Sequence, residues 1–167
     1  AYGGSPFADF LNGNGVPIDD RLPLLARIGM RSLYLAFPSY ASQNGLDLAG
    51  IKSLGRKQSQ IYWENTLNQR SVRLKELNNK MFFIQSHAEV KNCILTLQPQ
   101  ARYMQVYYDS ENDGILLTNE ESFDGVGTLL GTLNADHLEL TQSRTSPGSD
   151  HTFRAKLMNS ILRAVIQ

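Results

Sequence analysis

Cysteine occurs once in 167 residues, at Cys93, so the chain can close no internal disulfide and build no thiolate metal cluster. That economy fits a reducing compartment, and a cytoplasmic location is the expectation, with an exported mature chain that needs no bridges as the alternative. An excess of charge of one sign is missing too. Sixteen Lys and Arg offset sixteen Asp and Glu, and no net field draws the chain as a whole to nucleic acid or anionic lipid. Long hydrophobic runs are absent. The longest uncharged stretch, Ser32 to Leu46, contains Pro38, Ser39, Gln43 and Asn44 and is too polar for a membrane-spanning helix. The sequence also lacks a Gly-x-Ser-x-Gly elbow, a Ser-x-x-Lys pair and a Gly-Lys-Ser/Thr phosphate loop, which removes the common local signatures of acyl transfer and nucleotide binding.

Glycine and proline are absent between Gly55 and Pro99, a run of forty-three residues. So long a stretch without structure breakers predicts helix, and a helical segment over 50–97 is the expectation. Within it Trp63, Leu67, Arg70, Leu74, Leu77, Met81 and Ile84 alternate spacings of four and three, the period of a helix seam that packs on another helix. A second reading breaks the run near Asn78 and Asn79, makes the apolar Met81–Ile84 piece a short strand, and starts a new helix over Glu89 to Leu97.

Elsewhere the texture varies. Residues 1–17 hold Gly3, Gly4, Gly13, Gly15 and Pro6 and read as a flexible arm, with Phe7 and Phe10 as anchors on the chain's own core or on a neighbour. Residues 18–167 read as one domain. Asp19, Asp20 and Pro23 precede Leu22, Leu24, Leu25, Ile28 and Leu35, which predicts a helix near 20–36 with one apolar face. Tyr103, Val106, Tyr107 and Tyr108 flank an Asp113-Gly114 turn before Ile115, Leu116 and Leu117, the pattern of a β-hairpin, and residues 132–141 supply a third strand. Phe153, Leu157, Met158, Ile161, Leu162, Val165 and Ile166 recur at helical spacing behind Ser149 and Asp150. The fold class expected is therefore α+β, with long N-terminal and central helices, a small antiparallel β-sheet over about residues 100–142, and a C-terminal amphipathic helix.

Chemistry-bearing patterns are sparse. Asp109, Glu111, Asp113, Gly114 and Glu120 fall on positions one, three, five, six and twelve of a twelve-residue calcium loop, where Ca2+ needs oxygen ligands around a sharp turn. Leu117 at the ninth position has no side-chain oxygen to offer, and a solvated acidic turn is the competing reading. His87 with Glu89, and His137 with Glu139, repeat a His-x-Glu spacing that on a strand puts both side chains on one face, as metal ligands or an acid and base pair. Charge is segregated: Lys52 to Lys80 holds seven cations against Glu64 and Glu76, while Asp109 to Asp124 holds six carboxylates and no cation.

These features point to a non-enzymatic structural, assembly or protein-interaction protein, using Phe7, Phe10, Trp63, Leu67, Arg70, Leu74 and Leu77 to meet a protein partner or a second copy. The first alternative is a nucleic-acid-associated accessory protein that uses Lys52, Arg56, Lys57, Arg70 and Arg73 on a basic helix. The second is an enzyme with a dispersed site, or a calcium-dependent module at Asp109–Glu120.

Overall fold

The computed structural model describes residues 3–45, 47–69, 76, 78–122, 125–141 and 151–166. Helix α1 (Pro6–Leu11) is followed by α2 (Leu24–Gln43), α3 (Leu48–Ser53), α4 (Arg56–Gln69), strand β1 (Phe82–His87), α5 (Gln98–Tyr108), β2 (Thr128–Asn134), α6 (His137–Thr141) and α7 (His151–Ile166). The class is α+β in the broad sense, but β1 and β2 pair in parallel. An antiparallel sheet is therefore corrected. Parallel neighbours need a crossover rather than a hairpin, and α5 lies in that connection.

The segment expected to form the hairpin's first strand is helical for a reason its own residues carry. Ala101, Met104 and Tyr108 are three and four apart, as are Tyr103 and Tyr107, so one helix face collects them. Ala101, Tyr103 and Met104 are fully buried. Packing against α2 outweighs the strand preference of the tyrosines. The Asp113-Gly114 turn does form, held by the Asp113 amide donating to the Leu116 carbonyl at 3.2 Å and by a single antiparallel bridge between Asn112 and Leu117. Gly114 takes φ +95° there, which a side chain rarely tolerates. Of the third strand expected over 132–141, only residues 132–134 belong to β2, and His137–Thr141 is the short helix α6.

The helical segment expected over 50–97, as one long helix or two, is helical in its first part and is corrected in its last. Gly55 separates α3 from α4 because its backbone forms a bridge with Ser5. By Phe82 the chain is extended and paired with β2, and Val90–Asn92 is a single 3-10 turn. The apolar Phe82–Ile84 run suits a strand that is covered on both faces. The C-terminal helix forms as expected, with Leu157 and Ile161 facing Ile84, Leu130 and Leu133 across a small apolar gap.

The main core joins Leu22, Ala26 and Met30 to Tyr103, Met104 and Leu117, with Phe7, Phe10, Val16 and Ile18 packed against it. The segment expected to be an arm is thus docked: Ser5 caps α1 and its hydroxyl donates to the Ile115 carbonyl at 2.8 Å. A smaller cluster holds Cys93, Leu97 and Ala101. Gly29 lets the two principal helices approach, since a Cβ at that position would sit 2.6 Å from the Pro99 ring.

Candidate functional site

Helix α2 has two apolar faces. Ala26 and Met30 are buried in the core and Leu33 packs against it. At 100° per residue, Leu24, Ile28 and Leu35 project about 180° away from that set, and they are 62%, 53% and 76% exposed, with Leu25 beside them at 82%. Single exposed leucines are ordinary, but a ridge of them along one helix is not. A helix apolar on both sides belongs between two packing partners. The apolar face expected on this helix, Leu22, Leu24, Leu25, Ile28 and Leu35, is buried only at Leu22, which precedes α2; the stripe that meets the core, Ala26, Met30 and Leu33, was not part of it, because the residues were read by type and not by angle. Two clusters half a turn apart were the signal available.

Grooves flank this ridge on both sides. One, of about 500 Å3, is lined by Phe10, Val16, Ile18, Arg31, Tyr34 and Leu35. The other, of about 270 Å3, runs between Pro23, Leu25, Val90, Leu95, Pro99 and Arg102. Ridge and grooves together are the relief a partner helix needs for interdigitated packing. Helix α7 repeats the theme, with Met158, Leu162 and Ile166, four residues apart, all exposed.

Charge follows the same elements. Helices α2, α4, α5 and α7 hold two, two, one and three cations, eight together, against one carboxylate, Glu64. The remaining carboxylates lie in connecting segments and short elements. Among the described residues no carboxylate pairs with Arg27 or Arg31, and the Arg27 Nε is buried without a hydrogen-bond partner.

A second cluster of functional groups sits near the carboxyl ends of the two strands. Asp113, 1% exposed, accepts from the amides of Ile115 and Leu116 at 2.9 and 2.8 Å through one oxygen. Its other oxygen accepts from the Ser86 hydroxyl at 3.1 Å and from His137 Nδ1 at 2.7 Å. That hydrogen bond raises the affinity of His137 for its proton. Glu121 accepts from the Ser86 amide at 2.7 Å, and burial, with the Asp113 charge adding to it, pushes its carboxyl up to about 7. Asp136 accepts from the amides of Ile94 and Glu139, both at 2.8 Å. Nearly every oxygen here holds a backbone or side-chain donor, so the cluster fastens segments together. Ser86 donates to the carboxylate and not to the histidine, which is not the order of a nucleophilic triad. Burial lifts the Cys93 thiol to about 11, away from thiolate reactivity.

The residues expected to act fall out differently. Phe7 and Phe10 stack with each other at 6.4 Å and pack on the core. Trp63 is half-buried and meets Tyr62 edge-on at 5.2 Å. Arg70, Arg73, Leu74 and Leu77 lie outside the described residues, as do the side chains of Leu67 and Lys52. Lys57 is exposed on α4, but Arg56 is taken up by Glu120 and lies over the Tyr108 ring at 5.1 Å. The basic helix therefore does not offer Arg56 to a phosphate.

The calcium spacing does not converge: Glu120 turns to Arg56, Asp113 to His137, and Glu111 Oε2 lies 3.1 Å from His87 Nδ1. Asp109 ends α5 in the left-handed region at φ 46°. Among the described residues no group of three or more His, Cys, Asp or Glu is placed to hold a metal ion. Of the two His-x-Glu pairs, Glu89 pairs with Lys91 and His137 Nδ1 meets Asp113. No described helix is long and apolar enough to cross a membrane. No protein-family model matches the chain, and no curated protein matches it.

Proposed function

We propose that this chain is a non-enzymatic assembly or interaction protein, and that its contact surface is the outer face of α2 with its two flanking grooves. The observation that carries the reading is the double apolar character of α2: one stripe is buried in the core, and the opposite stripe, Leu24, Ile28 and Leu35, lies open. Burying that ridge against a partner contributes roughly 25 cal/mol for each Å2 of apolar surface removed from water. The helix seam expected through Trp63 thus gives way, in this proposal, to a seam two helices earlier.

With no partner present, copies of the chain cover each other's ridges. Light scattering over a range of protein concentrations then shows the average mass rising, and rising further with salt, because paired α2 helices bring Arg27 and Arg31 of one copy near those of the next. Ile28→Asp with Leu35→Asp abolishes the rise while far-ultraviolet circular dichroism stays unchanged. A wild-type chain that stays monomeric throughout and binds no apolar dye would overturn the proposal.

A further inference from the structure

We infer that the natural occupant of the α2 face is an acidic amphipathic helix of a partner protein, an assignment that rests on the contact role proposed above. Three observations select it. Each groove beside the ridge contains an arginine, Arg31 in one and Arg102 in the other. Arg27 pairs with no carboxylate among the described residues, and with its Nε buried and without an acceptor its terminal guanidinium nitrogens are the ones left to meet a carboxylate from outside. Finally, α2 carries no carboxylate in its twenty residues, so nothing on the helix itself neutralises Arg27 and Arg31.

A second copy of the chain covers this face in the partner's absence but less well than such a helix, because its own long helices are cationic too and set arginine against arginine. A bilayer also fits poorly, since a planar surface leaves both grooves unfilled, whereas a helix inserts side chains into them. The partner helix accordingly presents apolar side chains three and four residues apart to Leu24, Ile28 and Leu35, with Asp or Glu on its flanks to meet Arg27 and Arg31.

The probe is a synthetic amphipathic helical peptide of roughly five turns, leucine on one face and glutamate on both flanks, with a twin carrying lysine in place of glutamate. Both are titrated into the full chain and followed by fluorescence anisotropy, beside vesicles of phosphatidylcholine and phosphatidylserine. The glutamate peptide binds and the lysine twin does not. Binding weakens as salt rises, opposite in sign to self-association, and Arg27→Gln with Arg31→Gln weakens it by at least about tenfold without altering the thermal midpoint.

Equal binding of the two peptides, failure of the glutamate peptide to bind, or vesicle binding in place of peptide binding overturns the assignment. If the peptides fail but Ile28→Asp with Leu35→Asp still removes self-association, only the partner class is wrong. If that variant changes neither mass nor binding, the contact role falls with it.

Discussion

Asp113 lies under the turn that begins with it and holds four donors from three segments: its own loop, β1 through Ser86 and α6 through His137. A buried carboxylate in such a network is costly to disturb, because the donors left behind have no water to turn to. Asp113→Asn is expected to lower unfolding stability by about 3 kcal/mol, measured by urea denaturation, and a loss below about 1 kcal/mol would show that the network is slack. The same cluster sets a pH dependence.

The folded value of Glu121, about 7, lies above its ordinary 4.5, so the folded state holds this proton between those values and the unfolded state does not. Stability therefore falls as pH rises through that window. His137, also raised, acts in the same direction: its contribution is complete below its unfolded value of 6.5 and is lost as pH climbs through the folded one. The urea midpoint should decline from pH 5 to pH 8, and Glu121→Gln should flatten the lower part of that decline. A midpoint that rises with pH would contradict the arrangement. None of this network was legible from spacing, since Ser86, Asp113 and His137 meet only after β1 and the α6 segment come side by side. The acidic run around Asp113 was visible, and it suggested calcium because a loop reading has no means of supplying His137.

At the scale of elements, α2 concentrates the argument. Its inner and outer stripes are similar in composition and opposite in consequence. Met30→Ala, on the core side, is expected to cost about 3 kcal/mol, whereas Ile28→Ser, on the outer side, should change monomer stability by less than about 0.5 kcal/mol. Comparable losses at both positions, measured below the concentration of association, would mean the outer face is not free in the monomer. The helix also shows what local rules miss. The helix was expected near 20–36, yet α2 starts at Leu24 and continues through Pro38 to Gln43. Proline removes one helical hydrogen bond, and here Phe37 and Ala41 on either side remain packed or buried, so tertiary contact carries the helix across. The terminal helix was readable because its period is clean. Residues 98–108 carried an equally clean period, in Ala101, Met104 and Tyr108, but the aromatic content and the Asp-Gly turn behind them drew the expectation toward a hairpin.

For the whole molecule, the balance between core and surface is unusual. The chain exposes 10660 Å2, against roughly 8,300 Å2 for a compact monomer of this mass. Among the described residues the two buried clusters are small, and fifteen large apolar side chains are exposed. A neutral total charge concealed a second asymmetry, since cations sit on the long helices and carboxylates between them. Part of this is visible in the sequence as a basic segment followed by an acidic one, and the folded chain turns charge into surface: arginines border the apolar ridge of α2. An open, cationic-edged helix face is what these features describe together, and the proposed contact role rests on it.

The most direct test is carbene footprinting of the full chain at low and high protein concentration, with the labelled residues located by mass spectrometry. Contact through α2 predicts that Leu25, Ile28 and Leu35 label strongly in the dilute chain and become protected on association, while Met30 stays unlabelled at both. Unchanged labelling of those three residues in the associated state, with protection confined to other elements, would contradict the account.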